Sequence, residues 1–223
     1  MQKLSKTISV ISYFFAAVFL LVYFSAEIVP DFFLSTLGRL FLICGGCGFL
    51  WLGGFLLTKR SGKNRPMKIN LRIFLALYLL LFATLTLFDP LWGRNGGFVS
   101  WNKELFDMYV QNSLNLVPFK TVLQYFNRGT INQFVVNIVG NIVCLMPLGI
   151  LLPLNFEKQR KTGIFILTCV LIVSAVEILQ FVTLSGSCDI DDLILNVFGA
   201  FLIYLFTKNK EASSFLKQIF LCE

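Results

Sequence analysis

The sequence predicts an all-α polytopic membrane protein with about six transmembrane helices and both termini in the cytoplasm. Its 223 residues are 57% hydrophobic and only 14% charged, which is too apolar for an ordinary water-soluble domain. Six apolar segments each approach the ~20 residues that a helix needs to cross ~30 Å of hydrocarbon. The basic residues gather in alternate loops between these segments, as is typical of cytoplasmic loops.

The composition also excludes whole classes of function. The chain contains no histidine, so no mechanism can use its imidazole as a base or a metal ligand. The net charge of +7 does not indicate nucleic-acid binding, because the basic residues lie in short loops beside apolar segments. We therefore expect membrane lipid, and no nucleic acid, among its partners.

The six apolar segments divide into two sets of three. They cover residues 8–26, 37–58, 69–88, 133–154, 163–184 and 190–207. The first exceeds the roughly 7–15 residues of a signal-peptide core, so we expect it to remain as a helix. The second contains CGGCGFLWLGG, whose small residues favour close helix packing over a metal or redox role.

The first three segments, in residues 1–88, form one predicted part of the chain. The other part, residues 89–223, consists of a long loop at 89–132, three further segments and a short tail.

The distribution of lysine and arginine sets the predicted orientation. Fourteen of the nineteen lie at the amino end, in the second and fourth loops and in the tail. The opposite side holds Arg39, Arg94, Lys103, Lys120 and Arg128. We therefore place both termini in the cytoplasm and the loop 89–132 outside, in a multi-pass protein of the cell membrane.

The predicted outer loop is rich in aromatic residues, which favour the lipid headgroup layer. Within NSLNLVPFKTVLQYF, the proline predicts a helix break at Val117, followed by a short amphipathic piece. Two interpretations stay open: a loop that lies on or re-enters the outer leaflet, and an ordinary interfacial linker.

Segment four, residues 133–154, carries polar residues in its outer half. Asn137 and Asn141 are spaced i, i+4 and therefore share one helix face. Further along, Pro147 and Gly149 predict a kink, and Pro153 predicts the end of the helix.

The last two segments bring carboxylates to the same side. Glu177 and Gln180 share a face in segment five, and Asp189, Asp192 and Asn196 share a face at the start of segment six. An intramembrane carboxylate costs roughly 2.5–3.5 kcal/mol, so such groups tend to line a cavity and pair with something. These segments have no lysine or arginine at that level, and we expect a cluster that is partly protonated or holds a cation or cationic ligand.

Simpler roles explain part of this pattern. Asp189 suits a helix N-cap, and Asp191 and Asp192 lie where a helix dipole stabilises each carboxylate by ~0.3–1 kcal/mol. The asparagines serve equally well as hydrogen bonds between helices, worth ~0.6 kcal/mol each. Glu177 has no such explanation, because a lone buried carboxylate contributes nothing to packing. A role for Asp191 in the site requires that its side chain turn toward segment four.

Four sequence blocks resemble the VanZ-like membrane proteins of Gram-positive bacteria: NLVPF, NIVGNIVCLMPLGILLP, SAVEILQF and DIDDLILNVFGAFLIYL. They stand in the family order and cover roughly residues 112–205. The polar and small-residue pattern of the family falls on Asn115, Pro118, Asn137, Asn141, Pro147, Gly149, Glu177, Gln180, Asp189, Asp191, Asp192, Asn196 and Gly199. Many members carry a basic residue shortly before the aspartates, where this chain has Ser185, Gly186, Ser187 and Cys188.

The resemblance implies a membrane protein of the cell envelope, associated with resistance to the glycopeptide teicoplanin. In one hypothesis, the protein is a non-enzymatic binder or transporter whose outer-face carboxylates receive a cation, a cationic lipid or the glycopeptide. The predicted binding residues are Asn115, Asn137, Asn141, Gln180 and Asn196.

In the alternative hypothesis, the protein is an enzyme that acts on a lipid-linked cell-wall precursor. Glu177 is then the candidate acid or base, and Asp189, Asp191 and Asp192 hold a divalent cation against phosphate.

Overall fold

The structure is a computed structural model that describes residues 2–28, 36–87, 102–184 and 186–221. The predicted all-α class is confirmed. The helices are α1 (Gln2–Ile28), α2 (Thr36–Ser61), α3 (Arg65–Leu87), α4 (Lys103–Ser113), α5 (Lys120–Arg128), α6 (Ile131–Phe134), α7 (Gly140–Cys144), α8 (Leu148–Asn155), α9 (Thr162–Val182), α10 (Ile190–Lys208) and α11 (Lys210–Leu221). A π-helical segment (Val135–Val139) joins α6 to α7, and a 3-10 turn (Glu157–Arg160) follows α8.

Six stretches in the described residues are long and apolar enough to cross a membrane, as the sequence predicts. They are Leu4–Ala26, Leu37–Ser61, Arg65–Leu87, Ile131–Asn155, Thr162–Val182 and Ile190–Lys208. The predicted orientation of the termini stays a prediction.

The chain divides into two compact units. The N-terminal unit lies within Met1–Phe74 and Ser214–Glu223, and the C-terminal unit within Leu75–Ser213. The C-terminal unit therefore begins inside α3. The predicted boundary between residues 88 and 89 lies outside the described residues and stays a prediction.

In the N-terminal unit, α1 packs along α2 through small residues, as predicted for CGGCGFLWLGG. A Cβ atom on Gly45 would lie 2.5 Å from the Phe19 ring, and one on Gly53 would lie 3.0 Å from the Tyr13 ring. The missing side chains let the two helices approach closely. On another face of α2, the Trp51 indole donates a hydrogen bond to Ile219 O at 3.0 Å.

The fourth span is a broken helix. The helix is interrupted at 145–147, which confirms the predicted kink at Pro147. The predicted end at Pro153 is wrong, because α8 continues to Asn155. Proline removes only its own N–H donor, and Phe156 N still donates to Leu152 O at 2.9 Å.

The core of the C-terminal unit forms where the fourth span packs on α10. Gly199 lies so close to α7 that an added Cβ atom would stand 1.8 Å from Ile142 O. On α8, a Cβ atom on Gly149 would lie 2.6 Å from Ala200 O. These two glycines bring backbone against backbone and fix α10 beside the fourth span.

The described part of the predicted outer loop is structured, while residues 88–101 lie outside the description. The predicted helix break near Val117 and the short helix after it are confirmed, since α4 ends at Ser113 and α5 begins at Lys120. Between them, strand β1 (Leu114–Asn115) pairs in parallel with strand β2 (Cys188–Asp189), just before α10. Two-residue strands carry no periodic pattern, and the sequence did not predict them.

Candidate polar site between α9 and α10

Pairing of β1 with β2 brings the loop to the start of α10. Leu114 lies opposite Cys188, and Asn115 lies opposite Asp189. The Tyr109 hydroxyl donates to Gly186 O, and the Phe106 and Phe181 rings meet edge to face at 5.6 Å. The loop is thus fixed over the end of α9.

Asp189 is the N-cap that the sequence predicts, and it is also a junction. Its Oδ1 accepts hydrogen bonds from Asp191 N at 2.8 Å and from Asn115 Nδ2 at 2.9 Å, and its Oδ2 accepts one from the Thr121 hydroxyl. Its side chain is buried. One carboxylate therefore caps α10 and also holds both β1 and α5.

Asp191 turns toward the loop and away from the fourth span. Its Oδ1 accepts the Phe119 N–H, and its Oδ2 accepts Thr121 N at 2.8 Å and Val122 N at 3.1 Å. These are the N–H groups that a helix leaves unpaired at its first turn. Asp191, which is 1% exposed, thus caps α5 from another helix. Its side chain does not turn toward the fourth span, as a role in the predicted site would require.

The hydrogen bond between Phe119 N and Asp191 also holds the backbone of Phe119 in an unusual conformation. Phe119 has φ of 64°, in the left-handed region that a bulky residue rarely adopts. Such a conformation costs on the order of 1–3 kcal/mol and persists only where its surroundings enforce it. The buried carboxylate provides that enforcement.

Asp192 faces the fourth span, which carries the predicted binding residue Asn141. Its Oδ1 accepts a hydrogen bond from Asn141 Nδ2. Asn196, one turn further along α10, donates to Asn141 Oδ1 at 3.2 Å and to Asp192 O at 2.8 Å. Helical spacing therefore brings these three predicted residues together as expected.

Glu177 connects α9 to this network. Its side chain is buried, and its Oε2 accepts a hydrogen bond from Asp189 N at 3.1 Å. The members joined in this way are Asn115, Thr121, Asn141, Glu177, Asp189, Asp191, Asp192 and Asn196, named here the α9–α10 cluster.

Two predicted binding residues keep a buried oxygen unused. Within the described residues, Asn196 Oδ1 and Gln180 Oε1 have no hydrogen-bond partner. The orientation of each amide is fixed, because the nitrogen of Asn196 faces two oxygens and that of Gln180 donates to Thr86 O at 2.7 Å. Each of these two buried oxygens therefore has acceptor capacity that no described group of the protein uses.

Asn137 is not drawn into the cluster. It lies in the π-helical segment, and its Nδ2 donates to Gln133 O at 2.9 Å, within the same helical stretch. The binding role predicted for Asn137 stays a prediction.

The sequence did not single out Thr121 and Tyr125 of α5 as site residues. Tyr125 is half-buried, and burial together with the charges of Asp192 and Asp189 raises the pKa of its phenol above the ordinary value. Its hydroxyl therefore stays a potential donor beside the cluster. Burial, followed by the charges of Glu177, Asp189 and Asp192, likewise raises the pKa of the Cys188 thiol. The amphipathic pattern of α5 was the sequence feature that could have drawn attention to Tyr125 as a site residue.

The described residues contain no group of three Cys, Asp or Glu side chains that could hold a metal ion. The assignment of Asp189, Asp191 and Asp192 as metal ligands stays a prediction. For Asp191 the geometry gives another role, because backbone N–H groups and a metal ion compete for the same oxygen lone pairs.

The fold and the site define a class: helical membrane proteins in which carboxylates and amides of three spans meet a structured loop. The chain belongs to the VanZ/LLP1 family, whose profile matches residues 73–211. It is 33% identical over 135 residues to Protein VanZ of Enterococcus faecium, which covers 60% of this chain and 71% of that protein. No solved structure matches it.

Proposed function

We propose that this protein acts at the outer face of a bacterial cytoplasmic membrane and reduces the sensitivity of the cell to teicoplanin. The α9–α10 cluster would do so by binding a ligand that donates N–H or O–H hydrogen bonds. The orientation rests on the distribution of basic residues, and the link to teicoplanin rests on what the family resemblance implies.

The observation that supports a binding site is the unused oxygen of Asn196. Its side chain is 4% exposed, and a buried carbonyl oxygen without a partner costs about 1–3 kcal/mol. A ligand that donates a hydrogen bond to this oxygen would remove that cost, and the free energy recovered would favour binding. Gln180 Oε1 supports the same conclusion on α9.

The chemistry of the candidate ligands agrees with this excess of acceptors. A glycopeptide carries peptide N–H groups and sugar hydroxyls, and a lipid-linked cell-wall precursor carries both as well. Asp192 adds a charge-assisted acceptor next to Asn196. Binding would therefore depend on the charge of Asp192 and on the oxygen of Asn196.

The test measures teicoplanin susceptibility of a sensitive bacterial host that expresses the protein. We expect the wild type to raise the minimal inhibitory concentration, and Asp192→Asn to return it to that of the host alone. Asparagine retains the oxygen that accepts from Asn141, so protein abundance should stay near the wild-type level. Asn196→Leu, which removes the buried oxygen, should also abolish the effect.

Asp107→Asn is the matched control, because Asp107 is an exposed carboxylate on α4 outside the cluster. Full tolerance in both Asp192→Asn and Asn196→Leu would exclude the cluster as the site. A wild type that leaves susceptibility unchanged would exclude the function itself.

The orientation is tested in a cysteine-free background with an impermeant thiol reagent. A cysteine at Asn112 should react in intact cells, and one at Ser61 should not. Both positions are exposed. The reverse pattern would place the cluster on the cytoplasmic side. The enzymatic alternative with a divalent cation stays a prediction from the sequence.

A further inference from the structure

The turn between α2 and α3 contains a second candidate site, within the N-terminal unit. A cavity of about 780 Å³ is lined there by four basic residues, Lys63, Arg65, Lys68 and Arg72, and by no acidic residue in the part of the chain that the structure describes. All four side chains are exposed. Gly62, with φ of 62°, makes the turn that places Lys63 beside the start of α3.

Three of the basic residues share one face of α3. Arg65, Lys68 and Arg72 are spaced i, i+3 and i+7, so they lie above one another over about 10 Å of helix. A positive stripe of this length is longer than the roughly 5–8 Å depth of one headgroup layer, so along a helix it reaches from the water to the edge of the hydrocarbon.

The position of Arg72 requires an anionic partner more than the others do. Arg72 lies seven residues after Arg65, within a stretch of α3 that is long and apolar enough to cross a membrane. An arginine in such a stretch is costly unless it pairs or extends toward the headgroups.

The rule that places basic residues in cytoplasmic loops does not by itself explain this arrangement, because it depends on their number and not on a shared face. The loop at 157–161 provides a contrast. There Arg160 Nε donates to Pro153 O at 3.3 Å, and Lys208 Nζ donates to Arg160 O at 2.7 Å. Those basic groups serve contacts within the protein, and the four at the α2–α3 turn line one cavity.

We propose that this basic cavity binds the phosphate headgroup of an anionic glycerophospholipid. The cavity lies at the ends of two spanning helices, where the acyl chains can follow the lipid-exposed surface of α3, and four positive charges complement the phosphate. This site is independent of the α9–α10 cluster and of the proposed function.

The test titrates the purified full-length protein in neutral detergent with phosphatidylglycerol and follows the thermal unfolding midpoint. We expect the lipid to raise the midpoint, since it binds the folded state. In Lys63→Gln/Lys68→Gln, the half-saturating lipid concentration should rise about 30-fold, because each basic residue contributes about 1 kcal/mol. Lys63→Arg/Lys68→Arg should retain binding.

The matched control is Lys158→Gln/Lys161→Gln, which removes the same charge from exposed lysines elsewhere. It should bind the lipid like the wild type. An equal loss of lipid affinity in this control would show that only the net charge of the protein matters, and would overturn the proposed site. Phosphatidylcholine or inorganic phosphate that raises the midpoint as far as phosphatidylglycerol does would also overturn it. Equal loss in the arginine and glutamine variants would show that the positive charge is not what binds.

Discussion

Asn70 in the N-terminal unit and Asn196 in the C-terminal unit are both buried amides on spanning helices, with different partners. Asn70 donates to Leu50 O at 2.6 Å and accepts from the Tyr13 hydroxyl at 3.2 Å. Asn196 uses only its nitrogen and keeps an unpaired oxygen. The first joins helices, whereas the second retains capacity for a ligand. Unused hydrogen-bonding capacity, rather than polarity at membrane depth, distinguishes Asn196, for which we propose ligand binding, from Asn70.

Glycines show a parallel contrast. In the N-terminal unit, a Cβ atom on Gly45 or Gly46 would meet the side chains of Phe19 or Leu20, which can rotate away. In the C-terminal unit, the atom that a Cβ on Gly199 would meet is a backbone carbonyl oxygen. An added methyl group is therefore accommodated less easily at Gly199 than at Gly45 or Gly46.

The largest effect is expected for Asp191→Ala. It removes the acceptor of three backbone N–H groups and should lower the free energy of unfolding by about 3 kcal/mol, with water replacing part of the loss. The α5 segment should also detach. Trypsin cleavage at Lys120 and Arg128, measured with the thermal midpoint, checks both effects.

Asp107→Ala, on the exposed face of α4, is the control and should leave the cleavage rate unchanged. Unchanged cleavage in Asp191→Ala as well would show that the loop does not depend on this carboxylate.

A smaller loss is expected for Gly199→Ala. A methyl group 1.8 Å from Ile142 O forces α7 and α10 apart, which should cost about 2–3 kcal/mol. Because Ile142 follows Asn141, the bond from Asn141 to Asp192 should weaken, and teicoplanin tolerance should fall with the thermal midpoint.

Gly48→Ala provides the comparison in the N-terminal unit. Among the described residues, no atom beyond its own turn of helix lies within 4 Å of the added Cβ, and alanine favours a helix, so the midpoint should equal or exceed that of the wild type. A Gly199→Ala protein as stable as Gly48→Ala would remove the contrast between the two units.

The smallest effect is expected for Ser9→Ala. It removes one hydrogen bond, from the Ser9 hydroxyl to Gly53 O at 2.8 Å, and should cost about 0.6 kcal/mol. Thermal unfolding should show a small shift, and teicoplanin susceptibility should equal that of the wild type. A loss of tolerance like that of Asp192→Asn would mean that the N-terminal unit also carries function.

The sequence predicts those features that depend on local periodicity. Apolar runs locate the six spans, Pro147 locates the break, and helical spacing brings Asp192, Asn141 and Asn196 together. The role of Asp191 could not be predicted, because its partners are backbone N–H groups, which no residue type reveals. Thr121 and Tyr125 were missed because strand pairing places α5 beside the cluster.

The long reach of the bond between Asp191 and Phe119 bears on how the protein is made. The two residues are 72 positions apart, and a ribosome adds about 5–20 residues per second. The loop therefore waits about 4–14 s after its own synthesis before its cap is translated. During that interval α5 is not yet capped, and its exposed apolar side chains include Leu123 and Phe126. Released chains that end before Asp191 should retain a protease-sensitive loop, and chains long enough for Asp191 to reach Phe119 should protect it.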